Sequence, residues 1–400
     1  MSFKSSEFVC DKCFNDEDIQ GYVQGMAEKK KCDFCGRVSK APIAAPLGDV
    51  AEYIAERICS YYDDPANAGL PYESAEGGYQ GVTYITLEVF DEMGLDFPRK
   101  GGERLRDELA ERMPHELWSD AEPFRLSEHE RLRFSWESFC DLIKHKLRYF
   151  FAQKARDEDD EILTPSQILR LIFSYAEDVN AFITLPKGTP LFRARHQAKG
   201  ETFATAGTLG PPPVEVAVQT NRMSPPGIVM TYVADDRETA LAETASAPGT
   251  FAIGEFTTER DAVILDLTHL PQAPGIFAQI PESMEYDPRP RLIFLRMLSE
   301  EISRPIARDN RIHIEYVPTQ VITEYLRTAV EVDGKKVDGI RYRSSRKNAG
   351  TAIVLFADRD HVVFEEGERP EYYHFAKDRW LKLKSVQVKN VTQALMAKWS

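Results

Sequence analysis

An arginine, a tyrosine and a glutamate fall within one short stretch of this chain, Asn221 to Thr244 (NRMSPPGIVMTYVADDRETALAET). Arg222 lies on a Pro/Gly turn, Tyr232 on a strand predicted over Ile228 to Ala234, and Glu243 on the helix that follows. Asp235 as N-cap with Glu238 three residues later forms a capping box, which puts Glu243 about two turns into that helix. Ala240, Ala242, Ala245 and Ala247 leave room around its carboxylate. A helical glutamate is ordinarily a solvated surface residue, so its company matters more than its position. Arg193, Arg195, Arg222 and Arg237 crowd one region of a chain whose formal net charge is −14. Locally concentrated guanidinium in an acidic chain suits a pocket for a phosphorylated small molecule, with surface ion pairing as the competing reading.

A second chemistry stands at the other end. Four of the six cysteines occur as Cys10-Asp-Lys-Cys13 and Cys32-Asp-Phe-Cys35, two C-x2-C pairs with eighteen residues between them. That spacing makes two tight knuckles whose four thiolates complete a tetrahedron around zinc. Gly36 supplies the positive φ that a knuckle turn needs. Four sulfurs leave no open coordination position, so the metal is structural. Cys59 and Cys140 fall in helical patterns and read as buried small hydrophobes.

The elements that must position these groups follow from composition and pattern. Four hundred residues, 42% hydrophobic and 28% charged, describe an ordinary globular mixture of two or three domains. Net acidity argues against a broad nucleic-acid surface. No apolar run is long enough to span a bilayer, and the first twenty residues lack the apolar core of a secretion signal, so a cytoplasmic location and no membrane partner are expected. From about 45 to 180 the periodicity is helical. Leu132, Trp136, Phe139, Ile143, Leu147 and Phe150 mark one long amphipathic helix behind a Ser127/Glu130 capping box, and Thr164-Pro165-x-Gln167 opens another. A helical bundle with an acidic loop, Asp157 to Glu161, is the reading. Beyond Phe182 short strands and turns take over. Strands are predicted at Val263 to Leu267, Ile312 to Tyr316, Gly339 to Tyr342 and Thr351 to Phe356, with a helix at Pro318 to Val330, an α+β texture without regular βα alternation. No internal repeat, G-x-G-x-x-G or P-loop is found.

Three stretches then line up: LFRAR (Leu191 to Arg195), MTYVADDRETALAE (Met230 to Glu243) and DGIRYRSSR (Asp338 to Arg346). Together they resemble the RES domain, and IEYVPTQVITEYLR (Ile314 to Arg327) is similar to the segment before that family's serine. The N-terminal half, with its paired cysteines and SWESFCDLIKHKLRYFF (Ser135 to Phe151), resembles the HEPN-like domain found in front of some RES domains. The resemblance implies an α+β chain in three parts: a zinc ribbon over 1–40, a helical HEPN-like domain over 41–180, and a RES domain over 181–400 similar in fold to ADP-ribosyltransferases. It implies an NAD-degrading enzyme, often the toxin of a toxin–antitoxin pair, with an antitoxin or regulatory protein and a second copy of the chain as partners. Carried over by motif, Arg193, Tyr232, Glu243 and Ser344 are the catalytic set, and Arg193, Arg222, Tyr232 and Ser344 hold NAD. Ser345, directly after Ser344, competes for the serine's place.

The chemistry agrees with those residue types. Cleaving the nicotinamide–ribose bond turns a cationic pyridinium into a neutral leaving group, so no general acid is needed and one carboxylate can stabilise an oxocarbenium-like ribose. A glycosidase pair is unnecessary. Arg193 and Arg222 suit a pyrophosphate clamp, Tyr232 a stacking surface for nicotinamide, and Ser344 a hydrogen bond to ribose or phosphate. Water, inorganic phosphate or a protein side chain could each be the acceptor; release of a free product ranks above protein ADP-ribosylation. A HEPN-type RNase would need R-x4–6-H on a helix. Arg125/His129 and Arg112/His115 are spaced too closely, and Arg308/His313 and Arg369/His374 lie outside the bundle. A purely structural interaction protein would leave Arg193, Tyr232 and Glu243 without a shared task. Because every proposed site residue lies beyond Ala181, a fragment from there is expected to fold and keep NAD cleavage.

Overall fold

The computed structural model describes residues 7–149, 161–281, 284, 286–305, 311–369 and 378–399. Phe150, Phe151, Asp157 to Asp160, Arg308 and His374 lie outside the described residues. The chain divides into two compact units, one formed by 1–130 with 273–289, the other by 131–272 with 290–400. No helix among the described residues is long and apolar enough to cross a membrane.

The first unit is a mixture of short elements, not the bundle its periodicity predicts. Phe8–Cys10 pairs with Ala44–Pro46, and helices Glu17–Gly25, Leu47–Ile58, Thr86–Glu92 and Gly102–Ala110 surround a core of Ile19, Val50, Ile54, Phe90, Leu105 and Trp118. Glycines and prolines between them, and the strand pairs Tyr62–Asp63 with Leu117–Asp120 and Tyr84–Ile85, keep each helix to 12 residues or fewer. The inserted segment Ala273–Arg289 completes this core through Phe277, whose carbonyl accepts the Tyr53 hydroxyl. Cys59, expected to be buried, is exposed, because the helix ends at Ile58 and leaves it as the C-cap.

The second unit is organised around a mixed nine-stranded sheet, numbered in chain order: β1 Phe182–Leu185, β2 Pro190–His196, β3 Thr231–Ala234, β4 Gly249–Thr258, β5 Ala262–Asp266, β6 Gly339–Arg343, β7 Thr351–Leu355, β8 Val362–Val363 and β9 Leu381–Val391. Their spatial order is β8-β9-β4-β2-β3-β7-β6-β5-β1, and only β5–β6 and β8–β9 are parallel. Side chains alternate between faces. On one face Ile340, Tyr342, Ala352 and Val354 pack with helices Glu128–Asp141, Pro165–Asp178, Pro288–Ser303 and Val317–Ala329; on the other Leu191, Val233, Ile353, Leu355 and Trp380 form a separate core. Of the three capping boxes read from the sequence, Ser127 with Glu130 and Thr164 with Gln167 are present, while Asp235 with Glu238 is not, because Asp236 caps that helix. The strand predicted over Ile312 to Tyr316 is instead a helical turn, Ile312–Glu315, that runs on into Val317–Ala329 with Pro318 in its first turn. Five residues of alternating polarity do not separate a strand from a helical turn. Five strands went unread, β1, β2, β4, β8 and β9, and of these β4 and β9 are the longest in the sheet.

The ladder is interrupted near the middle of the sheet. β2 runs against β4 for seven residue pairs, but against β3 for only one, Ala234 with Phe192. The sheet is therefore split between β2 and β3.

Candidate active site

Arg193 sits on β2 at that split. Its Nη1 donates to the Tyr232 carbonyl on β3, 3.1 Å away, where the ladder between the two strands has stopped. Its Nε is buried without a hydrogen-bond partner, and among the described residues no carboxylate forms an ion pair with it. Burial, with Arg195 alongside, presses its pKa down to about 10, which leaves the guanidinium charged at neutral pH. A buried cation without a counter-ion is a site for an anion.

Arg222 is a second cation, half-buried and with no carboxylate partner among the described residues. Nη2 donates to the Arg304 carbonyl at 2.7 Å, Nη1 is buried without a partner, and the guanidinium lies over the Tyr316 ring at 5.5 Å. Its loop is fastened to β3 through Tyr232, whose hydroxyl takes the Met223 N–H at 3.3 Å and bonds the Ser224 hydroxyl at 3.0 Å. Burial pushes the Tyr232 phenol up to about 12, against those hydrogen bonds and the Arg222 charge. The other two arginines of the cluster are occupied. Arg195 donates to the Thr208 carbonyl and covers Phe203, while Arg237 pairs with Glu255 at 2.5 Å and covers Phe192.

Glu243 comes from the helix Arg237–Thr244 that follows β3. The N-cap of this helix is Asp236, not Asp235: its carboxylate accepts the Thr239 N–H at 2.9 Å and the Thr239 hydroxyl at 2.5 Å, while Asp235 turns away to pair with Arg341. Burial works against the Asp236 charge, but the Thr239 and Lys347 hydrogen bonds outweigh it and hold the carboxyl below its ordinary range. Starting at Arg237, the helix is only eight residues long, and Glu243 occupies its last turn. There its Oε1 accepts the Ser344 hydroxyl at 2.5 Å. Ser344 Oγ in turn accepts the backbone N–H groups of Arg346 and Lys347, both at 3.1 Å, so it is the serine the structure brings to the glutamate.

The loop from Ser344 to Gly350 is tied to the same helix twice more. Lys347 Nζ lies 3.1 Å from Asp236 Oδ1 and 3.3 Å from Thr239 Oγ1. Gly350 comes so close that an added Cβ would stand 2.8 Å from Thr239 Oγ1, an approach open only to glycine. Tyr342, two residues before Ser344 on β6, lies in one core with Met223 and Tyr232. It is 6% exposed, and burial, with the Glu243 carboxylate next in weight, holds its phenol well above the ordinary tyrosine range while the Arg222 charge acts the other way. Sequence reasoning gave this tyrosine no role; its i, i+2 relation to Ser344 on a strand was the available signal.

In the first unit the four cysteines converge. Cys10 Sγ is 3.8 Å from Cys13 and 3.6 Å from Cys35, Cys13 is 3.7 Å from Cys32, and all four sulfurs lie within 4.8 Å of one another. A tetrahedron with metal–sulfur bonds of ~2.3 Å has edges of about 3.8 Å, so the donor set fits a zinc-sized thiophilic ion. Four sulfurs this close favour a cation among them, because thiolates at these distances repel one another unless a metal ion neutralises their charge. Gly36 has φ 74°, and Arg37 donates to Asp11 at 2.7 Å, tying the second knuckle to the first.

Two family models match the chain. Residues 26–157 match the family described as HEPN/RES N-terminal domain 1, and residues 190–378 match the RES domain. No curated protein and no solved structure matches the chain.

Proposed function

We propose, for a chain that carries a RES domain behind a HEPN/RES N-terminal domain 1, that the second unit binds NAD across the split between β2 and β3 and cleaves its nicotinamide–ribose bond. The RES family is associated with NAD-degrading toxin activity. The observation that carries the reading is the pair of guanidinium groups, Arg193 and Arg222, each buried in part with no carboxylate partner among the described residues and each joined to Tyr232 or its loop, beside a glutamate oriented by Ser344. Two unpaired guanidinium forks match a pyrophosphate.

In this reading the C1′–N bond breaks with its electron pair leaving on nicotinamide, which departs neutral. The positive charge moves to the ribose, and the Glu243 carboxylate stabilises it. Water completes a hydrolysis by losing a proton after attack at C1′; inorganic phosphate completes a phosphorolysis; a protein side chain completes an ADP-ribosylation. Tyr232 and Tyr342 shape the ring pocket, and an antitoxin or regulatory protein that silences the site belongs to the same reading. The four cysteines hold a structural zinc that takes no part in the reaction.

Nicotinamide release from NAD, followed by chromatography with and without phosphate, tests the proposal and names the acceptor from the product. Glu243→Gln keeps the shape but removes the charge, so NAD binding should survive while turnover falls on the order of a hundredfold or more. Wild-type protein that releases no nicotinamide with water, phosphate or protein acceptors would overturn the enzyme reading.

A further inference from the structure

Residues 381–399 lie past the span that matches the RES domain, yet they build part of the site's support. β9 runs antiparallel to β4 from Leu381 opposite Thr258 to Val391 opposite Gly249, which delivers the chain beside the end of the site helix. Thr392 then caps a turn, Gln393–Met396, by accepting the Leu395 N–H, and the chain turns again to Trp399. The Trp399 indole is 6% exposed and packs in one cluster with Ala240, Leu241, Ala242 and Ala245 around Glu243 and with Phe192 and Ala194 of β2. Its carbonyl accepts the Asn348 N–H at 3.2 Å, on the loop that carries Ser344. One residue thus backs the glutamate's helix and holds the serine's loop.

We propose that Trp399 is a positioning residue for the Glu243–Ser344 pair, supplied from outside the family-matched span; this rests on the reading of Glu243 as the charge that stabilises the ribose. The alanine-rich helix leaves a volume that only a large side chain fills. Among the described residues the buried indole Nε1 has no partner, so the side chain works by volume and not as a donor. Loss of that volume lets the helix and loop shift against each other, and a displacement near 1 Å at a reacting group is enough to slow a reaction while leaving ground-state contacts to the pyrophosphate in place.

The test uses the full chain. Steady-state nicotinamide release and calorimetric NAD binding are compared for wild type, Trp399→Ala and Trp399→Phe. For Trp399→Ala kcat is expected to fall on the order of tenfold to a hundredfold with the Kd for NAD unchanged. Trp399→Phe, which restores most of the volume and loses no hydrogen bond, should recover most of kcat. Should the alanine variant not fold, Trp399→Leu carries the test under the same criteria. Wild-type kcat in the small variant overturns the proposal, as does a loss of NAD binding in proportion to kcat, or a phenylalanine variant as slow as the alanine one. If wild type is active and Glu243→Gln is not, such an outcome removes only the role of Trp399; a wild type that releases no nicotinamide removes the reading of Glu243 and the positioning role with it.

Discussion

Ser344 has one proton, and it is committed to Glu243 Oε1 while its oxygen accepts from two backbone N–H groups. In this state the serine has no proton left for a ribose or phosphate, so in the proposed reaction it acts on the substrate through the carboxylate it orients. Arg193 is the opposite case, a group with unused capacity. It touches the Tyr232 carbonyl and leaves Nε without a partner. Arg193→Lys keeps the charge and loses the fork, and a hydrogen bond to a charged group is worth roughly 1.5–3 kcal/mol, so the Kd for NAD should rise on the order of tenfold or more. Calorimetry on the variant decides it: an unchanged Kd with a collapsed kcat would move Arg193 from the binding clamp to the reacting centre. The cluster of four arginines was legible in the sequence, but its division was not. Arg237 and Arg195 are satisfied by Glu255 and the Thr208 carbonyl, partners set by strand register and loop packing that spacing does not encode.

At the scale of elements, the strand–turn–helix device around Tyr232 and Glu243 was readable because every signal in it is local. The one-residue error in its cap has a physical cause. Asp235 and Asp236 are both competent N-caps, and the choice falls to Asp236 because Arg341 and Lys347, distant in sequence, claim one carboxylate each. β4 and β9 escaped notice for a related reason: they gain their length by pairing with each other over ten residue pairs, a tertiary fact. The cysteine knuckles are the counter-example, legible because metal geometry fixes their spacing. Their sulfurs stand at tetrahedral distances beneath Phe14, Ile19 and Val23, in the core of the first unit. Purified under reductant without chelator, the protein should hold one zinc per chain, and chelation should lower the melting temperature by destabilising this unit first. Elemental analysis finding no zinc, or a melting curve indifferent to a strong chelator, would contradict this.

The whole molecule does not divide where the texture of its sequence changes. Ala181 looked like a boundary because helical periodicity stops there and strands begin. Yet Leu132, Trp136, Phe139, Ile168, Ile172 and Phe173, all before it, lie in one core with Met223, Met230, Leu265 and Tyr342 of the sheet unit. Helices Glu128–Asp141 and Pro165–Asp178 therefore cover the sheet face that carries Tyr342 and the loop before β3. Removing them uncovers several large apolar side chains at once, each worth roughly 1.5–3 kcal/mol of burial, which exceeds what a marginally stable unit can lose. A fragment from Ala181 should accordingly fail to fold, in place of the active fragment the sequence suggested. A fragment from Ser127 keeps both helices and the Ser127/Glu130 cap, and since Phe277 of the segment before Pro288 belongs to the other unit's core, replacing residues 273–287 by a short flexible linker should not harm it. Cooperative thermal unfolding and nicotinamide release measured on the two fragments separate the cases. If the shorter fragment melts as cooperatively as the longer and releases nicotinamide as fast, the helices are not part of the catalytic unit, and their burial against Met223 and Tyr342 contributes little to holding the site.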